Sequence, residues 1–163
     1  MNVSGNRATF HIQVEDLGAR ALVTISGVID ENADFGALVA VDGKPVEVNL
    51  KGVRRINSFG VRTWIDAVRR IKPTTPVCFV QAPPPVIDQC NMVSGFLGHG
   101  VLVSFFAPMT CEECDEHLDQ LFETERCRAL GGKLPPTPCP RCGRNMEVDD
   151  LEEQYLLFVR DSR

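Results

Sequence analysis

No apolar run in this 163-residue sequence approaches the ~20 residues that a membrane-spanning helix needs. The stretch from Met1 to Phe10 has no basic segment followed by an apolar core, so no secretory signal is expected. Histidine is scarce. His11, His99 and His117 are scattered and form no evident nucleophile or acid–base set. There is no Gly-x-x-x-x-Gly-Lys-Ser/Thr phosphate loop, no dinucleotide fingerprint and no repeat at solenoid periods. These absences leave no positive case for an enzyme and none for a membrane protein. What is present fits a globular chain: 44% apolar and 24% charged residues, enough to bury a core without disulfides. The excess of acids, 22 against 17 bases, argues against a dedicated nucleic-acid binder. The expected location is the cytoplasm.

The seven cysteines cannot all pair within one chain. Four of them form two Cys-x-x-Cys pairs, Cys111/Cys114 and Cys139/Cys142. In a reducing compartment such pairs are more often metal ligands than disulfides.

Composition changes near residue 108. Residues 1–110 carry 10 basic and 9 acidic side chains, whereas residues 111–163 carry 7 and 13 and hold five of the seven cysteines. Two units are expected: a body over residues 1–107 and a metal-stapled tail over residues 108–163. The body alternates strand and helix signals. Thr9–Val14 and Ala21–Ile29 read as a hairpin, with Phe10, Ile12 and Val14 alternating with polar neighbours. Asn32–Val41 is a short helix candidate and Val46–Leu50 a strand. Phe59–Ile71 is the strongest helix, because Val61, Trp64, Ile65, Val68 and Ile71 share one face. Asn57 or Ser58 is placed to cap it, and Pro73 stops it. Val77–Val80, Val86–Phe96 and Val101–Phe106 read as strand, helix and strand. The succession predicts an α/β fold: a mixed sheet with parallel pairing, right-handed crossovers and helices mainly on one face.

At Val48 to Ile71 the sequence resembles the STAS domain, the module shared by sulfate transporters and anti-sigma factor antagonists. That family's signature is a strand followed by Asp-Ser-Ser/Thr-Gly-Leu at a helix N-terminus. Here the strand leads into Asn57-Ser58-Phe59-Gly60-Val61. Ser58 and Gly60 match the signature, and the order of elements over roughly residues 8–107 matches the fold. Asn57 stands in place of Asp, and Phe59 in place of the hydroxyl residue that regulated antagonists phosphorylate. The resemblance implies a protein partner, an anti-sigma kinase or another STAS protein, docking at this loop. It also implies that the usual phospho-switch is lost. Ser58 is either a displaced phosphoacceptor or only the helix cap. Arg54, Arg55 and Arg62 flank the loop and suit an acidic partner patch; a solvated helix surface is the plainer reading. Phe59 is either an interface anchor or a core residue turned inward.

The tail pattern resembles a zinc ribbon. Two knuckles can supply four thiolates for a tetrahedral Zn²⁺, with sulfur at ~2.3 Å from the metal. Gly143 lets the chain turn closely, and Pro140 stiffens the second knuckle. The expectation is one structural Zn²⁺ per chain on Cys111, Cys114, Cys139 and Cys142. His117 lies three residues past Cys114 but is not needed to complete the set. Cys78 and Cys90 read as small core residues, and Cys127 as a spare thiol. Asp149–Val159 reads as a final strand that completes a β-rich ribbon, while the character of residues 115–130 stays open between helix and strand. The net −6 of the tail opposes phosphate binding.

The function expected first is a non-enzymatic signalling module resembling an anti-sigma factor antagonist, braced by zinc. The alternative is an oligomeric scaffold subunit without phospho-switching. A nucleic-acid-binding ribbon ranks third.

Overall fold

The computed structural model describes residues 9–161. β1 (His11–Asp16) and β2 (Ala21–Ile29) form the expected antiparallel hairpin. β3 (Val46–Ile56), β4 (Val77–Val80) and β5 (Val101–Leu102) then add in parallel, in the order β1-β2-β3-β4-β5. Alternation decides which face is buried. Val23, Val48, Phe79 and Leu102 stand in register across the sheet, and all four are buried. Their neighbours Thr24, Glu47 and Cys78 point the other way and are half-buried or exposed. The crossovers carry α1 (Gly36–Val39), α2 (Ser58–Arg70) and α3 (Pro84–Met92). This is the α/β architecture expected, with a five-stranded mixed sheet.

Helix α2 forms where the apolar period predicts. Asn57 caps it, its Oδ1 accepting from the Gly60 N–H at 2.8 Å. Arg69 and Arg70 in the last turn suit the negative end of the helix dipole. Trp64 carries the buried face. Its ring meets Phe35, Phe79 and Phe96, and its Nε1–H donates to the Phe96 carbonyl at 2.7 Å, so the core's indole has no unmet donor.

Several boundaries differ from the sequence reading: β1 is shifted to His11–Asp16, β3 runs on past Leu50 to Ile56, and α3 stops at Met92 rather than Phe96. The helix expected over Asn32–Val41 is only the four residues of α1. The Asp30 and Asp34 carboxylates accept from the Asn32 and Gly36 amides, and these local turns compete with helix. Helix α3 begins earlier than expected because Pro84 and Pro85 fit its first positions, which need no amide donor. The single strand expected over Val101–Phe106 is two strands. After β5 the chain breaks at Val103 and continues as β6 (Ser104–Thr110) in a second sheet. Gln81, at φ 56°, bends the end of β4, and β6 pairs instead with Ala82.

The second sheet has the order β7-β6-β8, with β7 (His117–Glu123) and β8 (Glu147–Val148) both antiparallel to β6. Residues 115–130 therefore hold a strand followed by α4 (Thr124–Ala129). The final strand expected at Asp149–Val159 is instead two short helices, α5 (Glu152–Tyr155) and α6 (Leu157–Asp161). Tyr155, Leu156 and Val159 are buried at helical spacing, while Leu157 faces out. A short apolar run cannot by itself distinguish the two periods. The tail is thus β-rich around the cysteines and helical at its end.

The junction expected at 107/108 lies inside β6, which pairs with β7 on both sides of it. Body and tail share one buried cluster, in which Phe105 contacts Phe122, Tyr155 and Phe158. The Tyr155 hydroxyl donates to the Phe106 carbonyl at 2.5 Å. Asn91 on α3 ties the two terminal helices down. Its Nδ2 donates to the Tyr155 carbonyl at 3.0 Å, and its Oδ1 accepts from the Phe158 amide at 2.9 Å. Asn91→Ala leaves both backbone groups without this partner and should cost about 2 kcal/mol in urea unfolding. A cost near zero would mean that water replaces the side chain fully.

Candidate functional site

The four paired cysteines meet at the far end of the second sheet. Cys111 follows β6 directly, and Cys114 lies in the turn before β7. Cys139 and Cys142 lie on the loop between α4 and β8. Their four Sγ atoms all lie within 4.8 Å of one another. Cys111 Sγ is 3.4 Å from Cys142 Sγ, and Cys114 Sγ is 3.6 Å from Cys139 Sγ. A metal with ~2.3 Å bonds to sulfur needs tetrahedron edges of about 3.8 Å, so the set is already close to the required shape. Four thiol donors converging at this spacing can hold a metal ion.

The two knuckles are built alike. In the first, the Asp115 amide donates to the Cys111 carbonyl at 2.9 Å, and the Cys111 amide to the Glu116 carbonyl at 2.9 Å. In the second, the Gly143 amide donates to the Cys139 carbonyl at 2.9 Å, and the Cys139 amide to the Arg144 carbonyl at 2.7 Å. The residue after each pair is left-handed, Asp115 at φ 56° and Gly143 at φ 76°. Gly143 was legible as a turn residue. Asp115 was not, although Asp is among the few side chains that tolerate this conformation. Arg141 reaches across to Glu116 at 3.7 Å and links the knuckles.

Amide donors also point at sulfur: the Arg141 N–H lies 3.4 Å from Cys139 Sγ. Cys139 and Cys114 hold their protons unequally. Desolvation works against ionising Cys139, yet the Cys142 and Arg141 amides bring it down to about 7. Desolvation, together with the hydrogen bond to Cys139, pushes Cys114 up to about 12. Of these two thiols, Cys139 is the readier to ionise and accept a metal.

His117 stands outside the sulfur set. It is exposed, with Nδ1 3.0 Å from Thr110 Oγ1 and Nε2 3.1 Å from Asp115 Oδ1. It braces the first knuckle from the side. Cys127 is fully buried, and burial raises its thiol to about 11. Burial likewise raises Cys90 to about 12 and moves Cys78 upward. These three are poor nucleophiles and poor ligands.

The loop at the start of α2 lies elsewhere, where α2 meets the end of β2. Asn57 is the cap, so Ser58 is not; its hydroxyl is exposed at the first helical residue. Asn57 Nδ2 also donates to Glu31 Oε2 at 3.4 Å. Phe59 is 62% exposed, so the inward-packing reading fails. Gly60 sits against the end of β2, where an added Cβ would lie 2.0 Å from the Ile29 carbonyl oxygen. Arg54, Arg55 and Arg62 are exposed, and among the described residues none of the three has an ion-pair partner.

A cleft of about 860 Å³ lies between the start of β1 and the β2–α1 turn, and none of the expected site residues lines it. No helix among the described residues is long and apolar enough to cross a membrane.

No protein-family model matches this sequence, and no curated protein does. Among solved structures, the chain is similar to the crystal structure of an anti-sigma factor antagonist from Mycobacterium paratuberculosis, at 23% identity over 52% of this chain and 77% of that one, with a TM-score of 0.43.

Proposed function

We propose that this chain is a non-enzymatic regulatory module of the anti-sigma factor antagonist type, acting in the cytoplasm by docking one protein partner. The docking surface is Asn57, Ser58, Phe59 and Gly60 at the start of α2, flanked by Arg54, Arg55 and Arg62. The observation that carries this reading is Phe59, a large aromatic held 62% exposed on a segment flanked by exposed arginines. Aromatic and arginine side chains are the commonest anchors of protein interfaces. The partner is an acidic surface, such as that of an anti-sigma kinase or another STAS protein. Phe59 has no hydroxyl, so docking is not gated by phosphorylation at that position. In the tail, Cys111, Cys114, Cys139 and Cys142 hold one structural Zn²⁺. An all-sulfur tetrahedral set suits zinc, and its four donors leave no open position for a catalytic water.

The test is quantitative capture from the source cell with wild-type, Phe59→Ala and Arg62→Glu chains. At least one protein held by the wild type should be lost from both variants. Against that purified protein, Phe59→Ala should weaken binding by ~2 kcal/mol or more, a loss of roughly thirtyfold. The melting temperature should barely move, because the side chain is already in solvent. A captured set unchanged by both substitutions would overturn the surface. A difference in affinity between Ser58→Ala and Ser58→Asp, with phosphate found on Ser58 in native protein, would restore phospho-control.

A further inference from the structure

The seven thiols are not equally accessible. Cys111, Cys127 and Cys139 are buried, Cys78, Cys90 and Cys114 are half-buried, and Cys142 alone is exposed. Of the four cluster residues, Cys142 is therefore the most open to solvent. Its sulfur is 3.4 Å from Cys111 Sγ on the opposite knuckle, and the second close pair, Cys114 with Cys139, also crosses between knuckles.

We propose that Cys142 is an oxidation site: a hydroperoxide oxidises its thiolate, Cys111 resolves the product into a disulfide across the two knuckles, and the metal leaves. This rests on the four-cysteine metal centre proposed above. In the first step the Cys142 sulfur attacks one peroxide oxygen. The O–O bond breaks, hydroxide departs, and Cys142 becomes a sulfenic acid. In the second step the Cys111 thiolate attacks the Cys142 sulfur. An S–S bond forms and a second hydroxide leaves. Two thiolates have lost two electrons, and the peroxide has gained them. Solvent protons convert both hydroxides to water. Two thiolates remain on the metal, too few to retain it. The new bond joins residues 31 apart, so the knuckles stay tied and a metal staple is exchanged for a covalent one.

Hydrogen peroxide added to the zinc-loaded full chain tests this, with released zinc read by a chromogenic chelator. Disulfides are mapped after blocking free thiols. Trypsin and a glutamate-specific protease cut at Arg141 and Glu113, so the two members of each pair are separated. The expected result is about one zinc released per peroxide consumed, with Cys111 joined to Cys142 as the first disulfide. With Cys111→Ser, a sulfenic-acid trap should label Cys142 ahead of every other cysteine. If that variant does not hold zinc, the same trap in excess on the wild-type chain reads the first oxidised sulfur. A first disulfide within one knuckle, Cys139 to Cys142 or Cys111 to Cys114, overturns the proposal. So does first labelling of any other thiol, or zinc retained at peroxide levels that consume free glutathione. A chain that takes up no zinc overturns the metal reading instead; thiol mapping of that protein still decides whether Cys142 is oxidised first.

Discussion

Cys139→Ser protein is expected to purify with almost no zinc, against about one zinc per chain for the wild type, measured by elemental analysis. Cys139 is the buried thiol that two amides draw toward ionisation, so its loss removes the donor best prepared to hold a cation. A serine hydroxyl in its place does not ionise near neutral pH. Structural zinc contributes roughly 10–16 kcal/mol of apparent binding free energy in small metal domains, so losing one of four ligands dominates every other single change here. Cys78→Ser, in the body sheet, should leave the zinc in place. The structural consequence should be local. β6 and β7 stay paired along their length, and Tyr155 and Leu156 stay packed without help from the metal. In the zinc-free variant, limited proteolysis should therefore cut within residues 111–116 and 135–146 and spare the rest. Stoichiometry near zero in the wild type, or iron with visible colour, would sink the zinc assignment. General digestion of the variant would show that body and tail unfold together.

Gly60→Ala should destabilise the chain by about 3 kcal/mol or more, read from urea unfolding, because the three nearest atoms are all backbone. The added carbon would lie 2.0 Å from the Ile29 oxygen, 2.5 Å from its carbon and 2.9 Å from the Asp30 nitrogen. No flexible side chain can swing aside. The start of α2 would have to retreat from β2, which breaks the bond from the Asn57 amide to that same Ile29 carbonyl, 3.1 Å long. Trp64 would be pulled from its contacts one turn later. Ser58→Ala, two residues away, should cost less than about 0.5 kcal/mol, since its side chain is exposed and caps nothing. Asn57→Ala should cost about 1 kcal/mol through loss of the cap. A Gly60→Ala cost within about 1 kcal/mol of zero would mean that the close approach is not a constraint. The glycine of the motif thus serves the fold, while the aromatic beside it stays exposed.

Much of the body was legible in the residues because its signals are local. Alternating β-branched residues mark β2 and β3, and five apolar residues on one face mark α2. The paired cysteines were equally plain, since a tight knuckle needs only a short spacing. The sequence by itself determined most of the elements of the body and which four sulfurs can meet. Tertiary structure alone decided the rest. Whether Phe59 turns in or out depends on the neighbours that α2 meets, not on its own side chain; Gly60 brings the helix so close to Ile29 that no space remains beneath it. The apolar run at Tyr155–Val159 suits either strand or helix, and Asn91, more than sixty residues earlier, supplies the hydrogen bonds that fit two helices. β6 crosses the point where composition changes because Phe105 and Ala107 find their partners on both sides of it. Accessibility among the cysteines was likewise invisible in a sequence where the two pairs look alike. Cys111 follows a buried strand and Cys142 lies on an exposed loop, and only the fold makes Cys142 the exposed member of the cluster.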